Sequence, residues 1–149
     1  MFPKRKHPTH GVIESQGFPV IVFLTVCTER RSPWIADSVV HRALCATWTS
    51  ASAWLVGRYV LMPDHLHLFC TPGSLDIPLD NWVRYWKSQF SKLVKNAAQR
   101  WQADHWDTRM RSWEHYAEKW EYTRFNPVRK QLVARPEDWP YQGELHELW

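Results

Sequence analysis

His65 and His67 stand one residue apart in YVLMPDHLHLFC, residues 59–70, inside an otherwise apolar run. The stretch after Pro63 and Asp64 alternates, and in a strand residues i and i+2 point to the same face. The two imidazoles therefore project side by side, ~7 Å apart along the chain at ~3.4 Å per residue. Leu66, Leu68 and Cys70 take the opposite face, and Phe69 joins the histidines farther along. Two neutral imidazoles at this spacing can converge on one divalent ion, but a metal site needs a further ligand from elsewhere in the chain. Without one, the pair is simply two half-exposed strand histidines.

The elements that must position this pair follow from periodicity. VIVFLTVCTER (20–30) reads as a strand buried on both faces. DSVVHRALCATWTSA (37–51) reads as a helix capped by Asp37, with Val40, Leu44, Thr47 and Trp48 at helical spacing. AWLVGRYVLM (53–62) and HLHLFCT (65–71) form an antiparallel hairpin around Pro63-Asp64. Residues 79–101 make a long amphipathic helix whose apolar stripe includes Leu79, Trp82, Val83, Trp86 and Phe90. A fourth strand is expected over 104–111 and a third helix over 112–125, with Ser112 as its cap. Asn126-Pro127 then breaks that helix or starts another turn. The order strand–helix–strand–strand–helix–strand–helix predicts a single α+β domain over 1–149. A central antiparallel or mixed sheet of four to five strands carries helices in a split βαβ, ferredoxin-like arrangement. Residues 1–19 read as a basic arm and 133–149 as a Pro- and Trp-containing tail.

At 149 residues the chain is long enough for one core and too short for two typical domains. Lysine and arginine exceed aspartate and glutamate by 19 to 15, an excess that favours an acidic partner such as nucleic acid. The 11 tryptophans fill cores, and their flat faces can also stack on unpaired bases. Cys27, Cys45 and Cys70 are too few and too widely spaced for a disulfide framework or a zinc ribbon, which predicts reduced thiols and a cytoplasmic location. The start MFPKRKHPTHGV has no apolar run behind it and does not read as a signal peptide.

YVLMPDHLHLF resembles the histidine–apolar–histidine motif of the HUH nucleases. It is similar in particular to the REP-associated tyrosine transposases. The block WDTRMRSWEHYAEKWEYTRFNPVRKQLVARPEDWPY (106–141) is similar to that family's C-terminal signature: a Trp-led strand, an Arg, a helix ending in Tyr-x-x-x-Asn-Pro-Val, a basic residue, then Leu-Val and Asp-Trp-Pro. RKHP at the start, TERR after the first strand and WKSQFSK in the long helix extend the likeness over nearly the whole chain. One departure stands out. The family usually has a histidine after the Asp of the Trp-Asp strand, and this chain has Thr108.

The resemblance implies the HUH fold and a single-strand DNA endonuclease and transposase. Such an enzyme binds a DNA hairpin with an adjoining single strand, then cuts and rejoins beside it through a 5′-phosphotyrosine. Among five tyrosines it implies Tyr122 as nucleophile, although periodicity alone makes Tyr122 an ordinary helix-surface residue. A free phenol titrates near ~10 and is a poor nucleophile at neutrality, so the chemistry calls for a divalent ion, Mg²⁺ or Mn²⁺, on the phosphate. His65 and His67 are its implied ligands. Asn126, at an i+4 position from Tyr122, is implied as the third, although Asn before Pro equally reads as a helix N-cap. Protonation of the histidines near ~6.5 then limits cleavage in acid. Lys4, Arg5, Arg30, Arg31, Lys87, Lys92, Arg109 and Arg111 are the candidate DNA contacts, since lysine and arginine neutralise phosphates whatever the sequence. A monomer or a homodimer fits the pattern.

Two rival readings use the same residues. One is a domesticated DNA-binding protein of this fold that no longer cleaves, which Thr108 allows. The other is a small metallohydrolase with His65, His67 and a carboxylate such as Asp64 or Asp107. It accounts for the histidines but not for the block from Trp106 to Trp139.

Overall fold

The β-branched run after Pro19 forms strand β1, Val22–Thr28. In the computed structural model, which describes residues 18–73 and 76–148, it is followed by helix α1 (Ser38–Ser50), strands β2 (Trp54–Leu61) and β3 (His65–Pro72), helix α2 (Leu79–Val94) and strand β4 (Trp101–Arg109). Helix α3 (Trp113–Arg124), the short helix α4 (Asn126–Arg129) and strand β5 (Gln142–Glu144) complete the chain. The strands lie in the order β4-β1-β3-β2-β5, each antiparallel to its neighbour. β1 and β2 are joined by α1 with β3 between them, and β3 and β4 by α2 with β1 between them. These are the two split βαβ units expected from the element order.

The central strands β1, β2 and β3 are buried on both faces, which explains their near-continuous apolar runs. Val22, Leu24, Val26, Leu66, Leu68 and Cys70 face α1 and α2, where Trp48, Trp82, Trp86 and Phe90 fill the layer. Trp48 and Trp86 meet edge-to-face at 5.6 Å, and Trp86 meets Trp101 at 5.3 Å. Most tryptophans thus serve the core. On the other face Ile21, Phe23 and Phe69 pack with Tyr116 of α3. This leaves the histidine end of that face for polar groups. Asp37 caps α1 by accepting from Val39 N and Val40 N. No helix among the described residues is long and apolar enough to cross a membrane, and the three cysteines are free thiols.

Two boundaries differ from the sequence expectation. The long helix stops at Val94, not at 101, because Lys95 adopts the left-handed conformation (φ 53°) and Asn96 Oδ1 accepts from Ala98 N. Leu93, three residues after Phe90 and so at the spacing of the apolar stripe, is exposed. β4 accordingly begins at Trp101, which pairs with Thr28, three residues before the expected start. The fifth strand of the expected four to five comes from the Pro- and Trp-containing tail. Trp139 Nε1 donates to Leu61 O at 2.9 Å, and Gly143 pairs with Tyr59. A Cβ at Gly143 would stand 2.6 Å from the Tyr59 hydroxyl oxygen, so only glycine allows this approach.

Lys87, expected to contact DNA, is folded inward instead. Its Nζ donates to Gln102 O at 2.9 Å and clips α2 to β4, and burial pulls its ammonium pKa down. Lys87→Met, which keeps the stem, should cost ~1 kcal/mol of stability in a denaturant titration. Its affinity for single-stranded DNA should stay at the wild-type value.

Candidate active site

Pro63 and Asp64 turn β2 into β3, and backbone hydrogen bonds fix the corner. Met62 N donates to His65 O (2.8 Å), Thr28 N to Asp64 O (3.0 Å) and Ile35 N to Pro63 O (2.9 Å). The register then sets Cys27 opposite His65 and Thr25 opposite His67. The two rings lie 4.8 Å apart, inclined at 74°. His65 Nδ1 is 2.8 Å from Asp64 Oδ1. A carboxylate only accepts, so Nδ1 carries the proton. His67 Nδ1 is 2.9 Å from Thr25 Oγ1. Each ring therefore spends Nδ1 on a holding contact and keeps Nε2, the arrangement in which second-sphere groups orient metal-binding histidines.

α3 and α4 bring the remaining residues. Ser112 Oγ caps α3 by accepting from His115 N, and Tyr116 packs on Phe69 with ring centroids 4.6 Å apart. Phe125 keeps near-helical dihedrals (φ −85°, ψ −1°), so the chain passes from α3 to α4 across a single break. Asn126 is the first residue of α4, and the N-cap position belongs to Phe125. Its Nδ2 lies 3.4 Å from His65 Nε2, across 61 residues of sequence. Turning the amide by half a rotation presents Oδ1 at the same place. Tyr122, one helical turn earlier, is 66% exposed, and the Arg129 guanidinium lies 3.7 Å from its ring centroid.

The electrostatics keep both histidines neutral. Burial lowers the His65 pKa; Asp64 opposes this, and Arg31 and Lys130 add to it. His67 is pushed down to about 3, chiefly by burial, then by the charges of His65, Lys119 and Arg129. Burial acts to raise Asp64, but its hydrogen bonds from His65 and Arg31 outweigh that and hold the carboxyl below its usual range.

The other sequence-designated residues scatter. Arg30 and Arg31 sit in a 3₁₀ turn just after β1, both with positive φ (57° and 55°). Arg31 Nε donates to Asp64 Oδ2 at 3.1 Å and so braces the His65 support, while Arg30 is exposed. Lys92, Arg109 and Arg111 are exposed on α2, at the end of β4 and just beyond it. Lys4 and Arg5 lie outside the described residues, as does nearly all of the expected basic arm. Thr108 pairs with Phe23 on β4 and is exposed.

Sequence reasoning passed over four side chains here. Lys119, Arg129 and Lys130 surround the histidines with positive charge. The spacing from Tyr122 to Lys119 and Arg129, three and seven residues, could have revealed two of them. Trp106 pairs with Thr25, which pairs with His67, so the three form one row across the sheet. It is 53% exposed and borders a cleft of about 440 Å³ that Arg30, Arg31 and Gln102 also line.

No family model matches the chain. It is 28% identical over 88 residues to the REP-associated tyrosine transposase of Escherichia coli K12, a match covering 58% of this chain and 52% of the relative. A Haemophilus influenzae protein carrying the same family name is 27% identical over 99 residues, covering 56% of this chain and 54% of the relative. The chain thus spans about half the length of the curated relatives it matches. A solved structure of a REP-associated tyrosine transposase bound to a REP hairpin shares the fold at a TM-score of 0.71 and 22% identity, over 95% of this chain and 82% of that one. In sequence the chain is similar to the REP-associated tyrosine transposases, and it shares the fold of one of them.

Proposed function

We propose that this protein binds a DNA hairpin with an adjoining single strand, and cleaves and rejoins that strand through a covalent 5′-phosphotyrosine on Tyr122. The observation that carries the reading is the approach of Asn126 to His65 Nε2. It joins the HxH strand to the very helix segment that bears Tyr122, two blocks that periodicity alone leaves unrelated. His65 and His67 through Nε2, with the Asn126 amide oxygen, would hold the ion. This donor set is neutral and leaves the ion's charge for a phosphate. Mg²⁺ or Mn²⁺ bound there would polarise the scissile phosphate.

The chain's own groups supply the rest. Tyr122 Oη attacks phosphorus, the P–O3′ bond breaks, the 3′ oxygen leaves and takes up a proton, and the 5′ phosphate stays on the tyrosine. The phenol proton departs to solvent, to which Tyr122 is open. Arg129 lies over the ring, and Lys119 and Lys130 draw the phosphate in. Attack by a 3′ hydroxyl reverses the step and rejoins the strand without an external energy source. Incubation with hairpin DNA and Mg²⁺ should give an adduct that survives SDS. A protein that binds the hairpin but yields no adduct under Mg²⁺ or Mn²⁺ would instead be the non-cleaving relative.

The metallohydrolase alternative finds little support. Asp64 addresses Nδ1 of His65 rather than Nε2, and Asp107 pairs with Leu24, on the face covered by α1 and α2.

Two further outcomes follow from the supports. Asp64→Asn leaves His65 an acceptor but removes the carboxylate charge and its ion pair with Arg31. The Mg²⁺ concentration for half-maximal cleavage should rise ~10-fold or more, and an unchanged metal requirement would remove Asp64 from the site. Trp106 offers a flat face beside the row that holds His67. Trp106→Ala should weaken single-strand binding by ~1–3 kcal/mol, while Trp106→Phe keeps most of it. Equal affinities for all three proteins in fluorescence anisotropy would exclude stacking.

A further inference from the structure

Asp80, in the first turn of α2, and Asp107, on β4, both aim a carboxylate oxygen at the same atom. Asp80 Oδ1 lies 3.0 Å and Asp107 Oδ2 3.5 Å from His105 Nε2. His105 and Asp107 are an i, i+2 pair on one strand, and the third group comes from a distant element. This is the logic of the histidine pair repeated on the other side of the sheet. The register sets His105 opposite Val26 and Asp107 opposite Leu24, so the cluster stands on the α1–α2 face while α3 carries Tyr122 on the opposite one. The His105 side chain is 13% exposed. A ring N–H points in one direction, so one proton cannot serve two carboxylates converging on one nitrogen equally well. A divalent ion can. Imidazole nitrogen and carboxylate oxygen at ~2.0–2.2 Å from an ion stand ~3–3.5 Å from each other, the spacing seen here. The three donor atoms all lie within 4.8 Å of one another.

We propose that Asp80, His105 and Asp107 form a second divalent-cation site, of the Zn²⁺ class, that ties the first turn of α2 to the edge strand β4. One imidazole with two carboxylates is a donor set that suits Zn²⁺. The remaining position is open to water, since Asp80 and Asp107 are largely exposed. The proposal does not depend on the tyrosine chemistry.

The test uses the full chain carrying His65→Ala and His67→Ala, stripped with chelator, so that the first site is not read. Calorimetric titration with Zn²⁺ alone should give one ion per chain, with affinity at least ~10-fold above that for Mg²⁺. Adding Asp80→Asn, an exposed and nearly isosteric change, should weaken Zn²⁺ at least ~10-fold. His105→Ala should abolish binding together with the Zn²⁺-induced rise in Tm. Zn²⁺ binding unaffected by both changes would put the ion elsewhere and overturn the proposal. No Zn²⁺ binding in the parent would overturn it too, leaving the three side chains as a hydrogen-bonded cluster only.

Discussion

Tyr122→Phe should abolish the SDS-resistant adduct and leave hairpin binding nearly intact. The change deletes one oxygen. The phenyl ring still accepts the Arg129 guanidinium, whose contact is with the ring face, so neither shape nor local charge is altered. A lost nucleophile has no substitute nearby, and strand cleavage should fall by ~10⁴-fold or more. Tyr116→Phe is the matched control. Its ring is buried against Phe69, so Tyr116→Phe should form the adduct at wild-type yield and change stability only. Adduct formation by Tyr122→Phe at the wild-type level would overturn the assignment.

His65→Ala and His67→Ala should each eliminate cleavage, and EDTA should do the same to the wild-type protein. Cleavage undiminished by EDTA would rule out the ion. The acid limit separates the folded site from free imidazole. Both folded-state pKa values are lowered, His67 to about 3, so the neutral, ion-binding form persists to lower pH. Activity should therefore survive through the usual imidazole range near ~6.5 and fade below it. The sequence alone placed that limit at the free-imidazole value because burial cannot be read from a motif. The same shift has a cost in stability. Between ~6.5 and 3 the unfolded chain binds protons that folded His67 refuses, so stability falls as pH falls through that window. His67→Gln should flatten this acid dependence in pH-dependent denaturation.

The fold was legible because each level of the sequence agreed with the next. Alternation named the HxH strand, Asp37 and Ser112 capped as expected, and Pro63-Asp64 closed the hairpin. Failures came where a local rule met a tertiary one. The apolar stripe of α2 continued past Val94, but Lys95 left the helical region and Trp101 was needed by the sheet. Lys87 looked like a solvent-facing cation, yet its long stem let the ammonium reach β4 carbonyls. In the candidate site, HxH and the Tyr-x-x-x-Asn-Pro-Val block named His65, His67, Tyr122 and Asn126. The supports of the histidines were not legible. Thr25 and Trp106 depend on strand register, and Arg31 and Asp64 on a corner where two strand ends meet. None of these has a periodicity of its own.

The row Trp106–Thr25–His67 runs at right angles to the strands, so its interval is two strand spacings, ~10 Å. Backbone pairing sets that interval, and side chains do not. In the proposed reaction it acts as a ruler between the held base and the phosphate to be cut. Loops at either end of the sheet can lengthen, and the hairpin sequence can drift, while the distance from grip to cut stays constant. Specificity for where the strand is bound and precision in where it is broken are thus separable properties, the first open to change at the surface, the second locked into the sheet.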